Sequence, residues 1–74
     1  MNTPAMLSIA QAAYEAYGDS IAWTNFQGGP LPRWDELRPA VQESWVRAGF
    51  AAITAWRALT TPEKILVESA LGAC

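Results

Sequence analysis

The chain has 74 residues and a net charge of −2, and a chain of this length fits one small domain. A single cysteine, Cys74 at the last position, and the absence of histidine exclude an intrachain disulfide and a zinc site of the cysteine/histidine type. Five lysines and arginines are spread along the sequence and no apolar run is long enough to span a membrane, which argues against duplex nucleic acid and lipid bilayers as partners.

The first predicted helix covers about residues 4–17. Thr3 is a typical helix cap, and Pro4 suits the first helical position. Gly18 is typical of the left-handed residue that ends a helix. Because apolar residues occupy most of its circumference, we expect this helix to make contacts on two sides.

Residues 18–33 are predicted to form a loop, because Gly28-Gly29-Pro30 and Pro32 prevent regular structure. The loop is too apolar for a solvated linker, so we expect it to fold over the helices and close one end of the core. A short turn over residues 34–37 follows. The apolar loop residues are Ile21, Trp23, Phe26 and Leu31.

The second predicted helix covers about residues 39–59 and begins at Pro39. Gly49 stands among small residues, which predicts the close approach of another helix. Glu43 and Arg47 are spaced for an ion pair one turn apart. The apolar stripe of this helix is predicted at Val41, Trp45, Ala48, Gly49, Ala52, Ile53, Trp56 and Leu59.

The third predicted helix covers about residues 62–71, and Thr60 and Glu63 have the spacing of a capping box at its start. The residues expected to face inward are Ile65, Leu66 and Val67. Together the patterns predict an all-α fold. We expect residues 1–74 to form one compact three-helix domain with a long aromatic-containing loop between helices 1 and 2.

The chain is more apolar than so small a domain can hide. Hydrophobic residues make up 51% of it and charged residues 16%, against about 25% charged residues in an average domain. A domain of this size is marginally stable alone, so we expect a homo-oligomer, a dimer or a higher even-numbered assembly. The alternative is a monomer with a somewhat apolar surface. The interface is predicted on the second helix, at Val46, Phe50, Ile53 and Trp56.

Catalytic groups are hard to find in this sequence. Without histidine, a nucleophilic triad cannot form in its Ser-His or Cys-His versions. Asp35 and Glu36 are adjacent and point apart, so they are read as acids that complement a helix dipole. The Gly28-Gly29-Pro30 segment lacks the surroundings of a phosphate-binding loop and is read as a turn. We therefore predict a protein that is not an enzyme and that uses no metal or cofactor.

Aromatic and arginine side chains are the remaining candidates for a binding site. Several of them lie in or beside the loop, where flat rings would suit a nucleotide base and a guanidinium would suit a phosphate. Ordinary packing in the core is the competing interpretation for each ring. The predicted ligand-binding residues are Tyr14, Tyr17, Trp23, Phe26, Arg33, Trp34 and Arg38.

The central part of the chain resembles a pattern common among small bacteriophage accessory proteins. Residues 12–17 read A-A-Y-E-A-Y, residues 28–37 fit G-x-P-L-P-x-W-x-E-L, and Gln42 and Trp45 form Q-x-x-W. The resemblance covers roughly residues 10–58. The usual proline after the W-x-E-L turn stands one position later here, which is expected to shift the start of the second helix. The resemblance implies a phage protein in the cytoplasm of a bacterial host, where many such proteins counter host defences.

Three functions remain open on the sequence alone. The first is a sponge, a binding protein that sequesters a small signalling nucleotide and so blocks a host defence. The second is an inhibitor that covers a host defence protein with its apolar helix face. The third is a minor structural protein of the virion.

Overall fold

The computed structural model describes residues 2–72, which form three α-helices. Helix α1 spans Pro4–Ser20, α2 spans Pro39–Ala58 and α3 spans Thr61–Gly72, with a short 3-10 turn at Trp34–Glu36. The predicted all-α, three-helix fold with a long loop between α1 and α2 is confirmed. None of these helices is both long and apolar enough to cross a membrane. Cys74 lies outside the described residues.

The helix starts carry the side-chain caps that the sequence predicts. The Thr3 hydroxyl accepts a hydrogen bond of 3.2 Å from the Met6 N–H at the start of α1. At α3 the Glu63 carboxylate accepts from the Thr60 N–H at 2.8 Å, and the Thr60 hydroxyl accepts from the Glu63 N–H at 3.4 Å. The predicted capping box is therefore confirmed, and its backbone hydrogen bond lowers the pKa of Glu63 below the ordinary value.

The prediction that Gly18 ends the first helix in a left-handed conformation is wrong. Helix α1 continues through Gly18 to Ser20, and the left-handed residues are Ala22 (φ 53°) and Trp23 (φ 56°). Gly18 is buried under the Trp23 indole, where an added Cβ would lie only 2.6 Å from Trp23 Cη2. The close approach of a ring, and not helix termination, requires glycine at this position.

The core lies where α1, the loop and α2 meet. Its buried apolar side chains are Ala10, Tyr14, Trp34 and Val46. Further apolar residues pack around them, namely Met6, Leu7, Trp23, Leu31, Leu37 and Trp45. Trp23 and Leu31 of the loop thus close part of the core, as predicted.

Helix α2 packs on the core partly through its predicted stripe, with Trp45 and Gly49, and partly through Val46 beside that stripe. Val46 and Gly49 are buried, whereas Ala48 and Ala52 are exposed. The close approach of another helix predicted at Gly49 is made by α1, since a Cβ on Gly49 would lie 3.3 Å from Ile9 Cγ2. Val46 is only 3% exposed within one copy and belongs to the core of the single chain, so its role in an interface stays a prediction.

Helix α3 does not pack on this core. The prediction that Ile65, Leu66 and Val67 face inward is wrong, since their exposed fractions are 57%, 71% and 40%. Leu59, the residue after α2, has an extended backbone (φ −68°, ψ 149°). Lys64 is half-buried, and its ammonium lies 5.8 Å from the centroid of the Trp56 ring.

Replacing Gly18 with alanine tests the packing of Trp23. Alanine is normally better than glycine inside a helix by up to about 1 kcal/mol, but here its Cβ would overlap the indole. We expect the free energy of unfolding to fall by about 2 kcal/mol in a urea titration. Gly72→Ala is the control, because its Cβ would meet no described atom within 4 Å. A Gly18→Ala variant as stable as the parent would contradict the packing.

Candidate functional site

Tyr14 lies at the centre of an aromatic cluster that joins α1, the loop and α2. Its ring is buried, and its hydroxyl donates a hydrogen bond of 2.6 Å to the carbonyl oxygen of Pro32. Ring centroids surround it at distances between 5.2 and 6.4 Å. The surrounding rings are those of Tyr17, Trp23, Trp34 and Trp45.

Tyr14 and Trp34 are buried beneath the surface of the site. They are only 3% and 7% exposed, so a ligand cannot reach them in this conformation. Burial raises the pKa of Tyr14, and the nearby Tyr17 and Glu36 raise it further. The phenol therefore stays protonated at neutral pH and remains a donor to Pro32.

Trp23 is held in place from several directions. Its indole N–H donates to the Asp19 carboxylate at 2.8 Å, its ring packs on Gly18, and the guanidinium carbon of Arg33 lies 3.9 Å from its ring centroid. The left-handed backbone at Ala22 and Trp23 costs on the order of 1 kcal/mol or more per residue, and these contacts offset it. The Trp23 ring thus already has partners within the protein.

Arg33 presents a guanidinium whose hydrogen-bond donors are not neutralised. The Glu36 carboxylate accepts from the Arg33 backbone N–H at 2.8 Å and not from its side chain. Among residues 2–72 the one ion pair joins Arg47 to Glu43 at 3.6 Å, so neither Arg33 nor Arg38 is paired with a carboxylate there. A guanidinium stacked on an indole keeps its N–H groups at its edge, where they can bind an anion.

The structure brings together most, but not all, of the predicted ligand-binding residues. Tyr17 is 45% exposed at the edge of the cluster, with its ring centroid 5.5 Å from that of Trp45. Phe26 is 96% exposed at the tip of the loop and lies outside the cluster. Arg38 is exposed at the residue before α2. The five that share one cluster are Tyr14, Tyr17, Trp23, Arg33 and Trp34.

Sequence reasoning missed three residues of this cluster. Trp45 was read as part of a core stripe, yet it lies against both tyrosines. Gly18 was read as a helix end, and Asp19 was not singled out at all. Asp19 and Trp23 are four residues apart across a helix end, and no sequence rule identifies such a contact when the backbone is left-handed. The Q-x-x-W spacing was the available signal for Trp45.

An open depression next to Arg33 is a poor place for a phosphate. It has a volume of about 310 Å³ and is lined by Pro30, Leu31, Pro32 and Glu36. Its one ionisable group is a carboxylate, which would repel an anion. Residues 2–72 also contain no group of three or more carboxylate, cysteine or histidine side chains that could hold a metal ion. Within the aromatic cluster, the Arg33 guanidinium is therefore the cationic group without a carboxylate partner among residues 2–72.

Comparison with known proteins gives no matching family model and no match among curated proteins or solved structures. The resemblance to bacteriophage accessory proteins therefore remains a prediction. Function has to be inferred from the chemistry of the Arg33 site.

Replacing Tyr14 with phenylalanine tests the hydrogen bond to Pro32. We expect the free energy of unfolding to fall by about 1 kcal/mol at neutral pH. Because burial raises the pKa of the folded phenol, its contribution is fully present below pH of about 10 and is lost as the pH rises through the folded pKa. Unfolding curves between neutral and alkaline pH measure both effects.

The control for Tyr14→Phe is Tyr17→Phe, because the Tyr17 ring is exposed. The difference in stability between the parent and Tyr14→Phe should shrink at alkaline pH, while Tyr17→Phe should stay close to the parent at neutral pH. An equal loss in both variants would show that the Tyr14 hydroxyl has no special role.

Proposed function

We propose that this chain is a non-enzymatic phage accessory protein that counters a host defence by sequestering a signalling nucleotide in the host cytoplasm. One observation carries the proposal: the Arg33 guanidinium is stacked on Trp23 and has no carboxylate partner among residues 2–72. Such a group binds a phosphate through two parallel hydrogen bonds. The Trp23 ring holds it in position before the ligand arrives, which reduces the entropy lost on binding.

Stacking of the nucleotide base has two possible partners. The Trp23 ring already contacts Gly18 and Arg33, so it is a poor stacking surface while Arg33 is in place. The half-exposed Tyr17 ring and the outer face of the Arg33 guanidinium are free to contact a base. We infer that the base stacks on one of these two, with the phosphate at the edge of the guanidinium.

A single copy supplies little positive charge, and this favours a site shared between copies. Arg38 is the next arginine along the chain, and a signalling nucleotide usually carries more than one phosphate charge. In a homo-oligomer, symmetry would repeat Arg33 and Arg38 across the assembly. The α2 residues available for such an interface are Phe50 and Ile53, exposed by 47% and 37%, together with the half-buried Trp56.

Thermal unfolding in the presence of a panel of cyclic and linear nucleotides tests the proposal. A ligand at a hundred times its dissociation constant stabilises the fold by about 2.7 kcal/mol, which raises the midpoint of a small domain by several degrees. We expect one class of nucleotide to do this, and Arg33→Ala to weaken its binding by about tenfold or more. Arg33→Lys should restore only part of the affinity, because lysine lacks the fork of donors.

The matched control is Arg57→Ala, which removes the same charge from an exposed position at the end of α2. It should keep nearly the affinity of the parent. An equal loss of affinity in both variants would show that only the net charge matters. If the unfolding midpoint did not shift with any nucleotide, that result would contradict sequestration.

A second candidate function rests on Phe26. This side chain is 96% exposed on a loop tip that hydrogen bonds hold rigid. The Asn25 carbonyl oxygen of the side chain accepts from the N–H groups of Gln27 and Gly29, each at 2.9 Å. A rigidly presented aromatic side chain is typical of an anchor in a protein interface. The chain could in this way cover a host defence protein.

Affinity capture from a host lysate tests the second candidate. If Phe26 is an anchor, the parent chain should retain a host protein in stoichiometric amount and Phe26→Ala should lose it. Gln27→Ala, at the neighbouring exposed position, should retain it. A Phe26→Ala variant that still binds the nucleotide but captures no less host protein would remove this candidate.

A further inference from the structure

Helix α3 leaves its apolar side chains in water. Leu66, Leu71 and Ile65 are 71%, 69% and 57% exposed, and they are distributed around the helix rather than along one edge. A 12-residue helix is too short to be stable in water by itself. The capping box at its start nevertheless specifies a helix. A surface that covers α3 would therefore stabilise its helical state.

An apolar groove between α1 and α2 is also uncovered. It is a shallow depression with about 30 Å³ of free space, and no charged residue lines it. Ile9 and Phe50 at its rim are 45% and 47% exposed. The groove is lined by Met6, Ile9, Val46, Phe50 and Ile53.

The chain exposes more surface than a globular monomer of the same mass. The chain exposes 5698 Å², whereas a globular monomer of 8.0 kDa exposes about 4,450 Å². Its radius of gyration is 14.4 Å, against about 11 Å for a globular chain of this length. The excess of about 1,200 Å² per copy is enough for a stable interface between proteins, which buries about 800 Å² on each side.

We propose that α3 of one copy docks into the α1–α2 groove of a second copy, and that the second copy returns the same contact. Each copy carries one apolar helix and one apolar groove. When two copies insert their helices into each other's grooves, the result is a two-fold symmetric dimer. The same chain does not fill its own groove, because the extended Leu59 and the contact of Lys64 with Trp56 direct α3 away from it. This inference does not rest on the nucleotide function.

Two matched variants, each with one new charge, test the docking. Leu66→Lys alters α3 and leaves the groove intact, and Phe50→Glu alters the groove and leaves α3 intact. Both positions are at the surface of the single copy, so both variants should keep the helical content of the α1–α2 core in circular dichroism. Analytical ultracentrifugation at micromolar concentration measures their association. We expect the parent to be dimeric and each variant to dissociate at least about tenfold more readily.

Mixing the two variants distinguishes this docking from other interfaces. The groove of the Leu66→Lys chain and the α3 of the Phe50→Glu chain are both intact, so the mixture should recover a dimer. Glu68→Lys is the control, because it changes the charge at an exposed position on the opposite side of α3 from Leu66 and should leave the dimer unchanged. A monomeric parent overturns the proposal, and so does a mixture that stays monomeric.

The single variants also distinguish the proposed docking from two other possible interfaces. If copies met through α3 alone, Phe50→Glu would remain dimeric, and if they met through the groove alone, Leu66→Lys would remain dimeric. Either result overturns the proposal. Hydrogen exchange of the parent gives an independent measurement: backbone amides of residues 65–72 should be protected in the dimer and lose that protection on dilution. If these amides exchanged their hydrogens without protection in the dimer, that result would also overturn the proposed docking.

Discussion

The hydrogen bond from Tyr14 to the carbonyl of Pro32 ties the long loop to α1, and the site depends on it. The loop is paired with itself over a short stretch, where the Asn25 N–H donates to the Gly29 carbonyl at 2.8 Å and the Leu31 N–H donates to the Trp23 carbonyl at 2.7 Å. With Pro32 fixed, Arg33 follows immediately and its guanidinium comes to rest on Trp23. Trp34 comes next and enters the core beside Tyr14. One phenol thus sets the position of the guanidinium that the proposed function uses.

The residues of the G-x-P-L-P-x-W-x-E-L and Q-x-x-W pattern are mainly the scaffold of this site. Trp34 is buried, Glu36 accepts from the Arg33 backbone N–H, and the Gln42 side chain donates to the Trp34 carbonyl at 2.9 Å. Such a pattern describes how the loop is held on the helices and does not describe what the site binds. A resemblance that rests on it can therefore predict a fold more securely than a ligand.

Local signals predicted the helices well, because caps and prolines act within a few residues. The Thr3 cap and the Thr60–Glu63 capping box needed no knowledge of the rest of the fold. Gly18 and the apolar residues of α3 were misread because their roles depend on distant partners. A glycine that receives an indole looks the same in sequence as one that ends a helix. Similarly, the apolar residues of a helix look the same in the sequence whether they pack against the same copy or against another copy.

Assembly and ligand binding use different turns of α1, and this separation matters for a protein that acts by sequestration. The groove begins at Met6 and Ile9, whereas the aromatic cluster begins at Tyr14 and ends beyond Gly18. A helix docked in the groove would therefore leave the Arg33 guanidinium open to solvent. Sequestration needs the Arg33 guanidinium of every copy to stay accessible, whether one copy or two supply a site, since nothing is turned over. A dimer that covered its own binding residues would gain stability but would lose the capacity to bind nucleotide. Docking of α3 at the other end of α1 would stabilise the fold and keep that binding capacity.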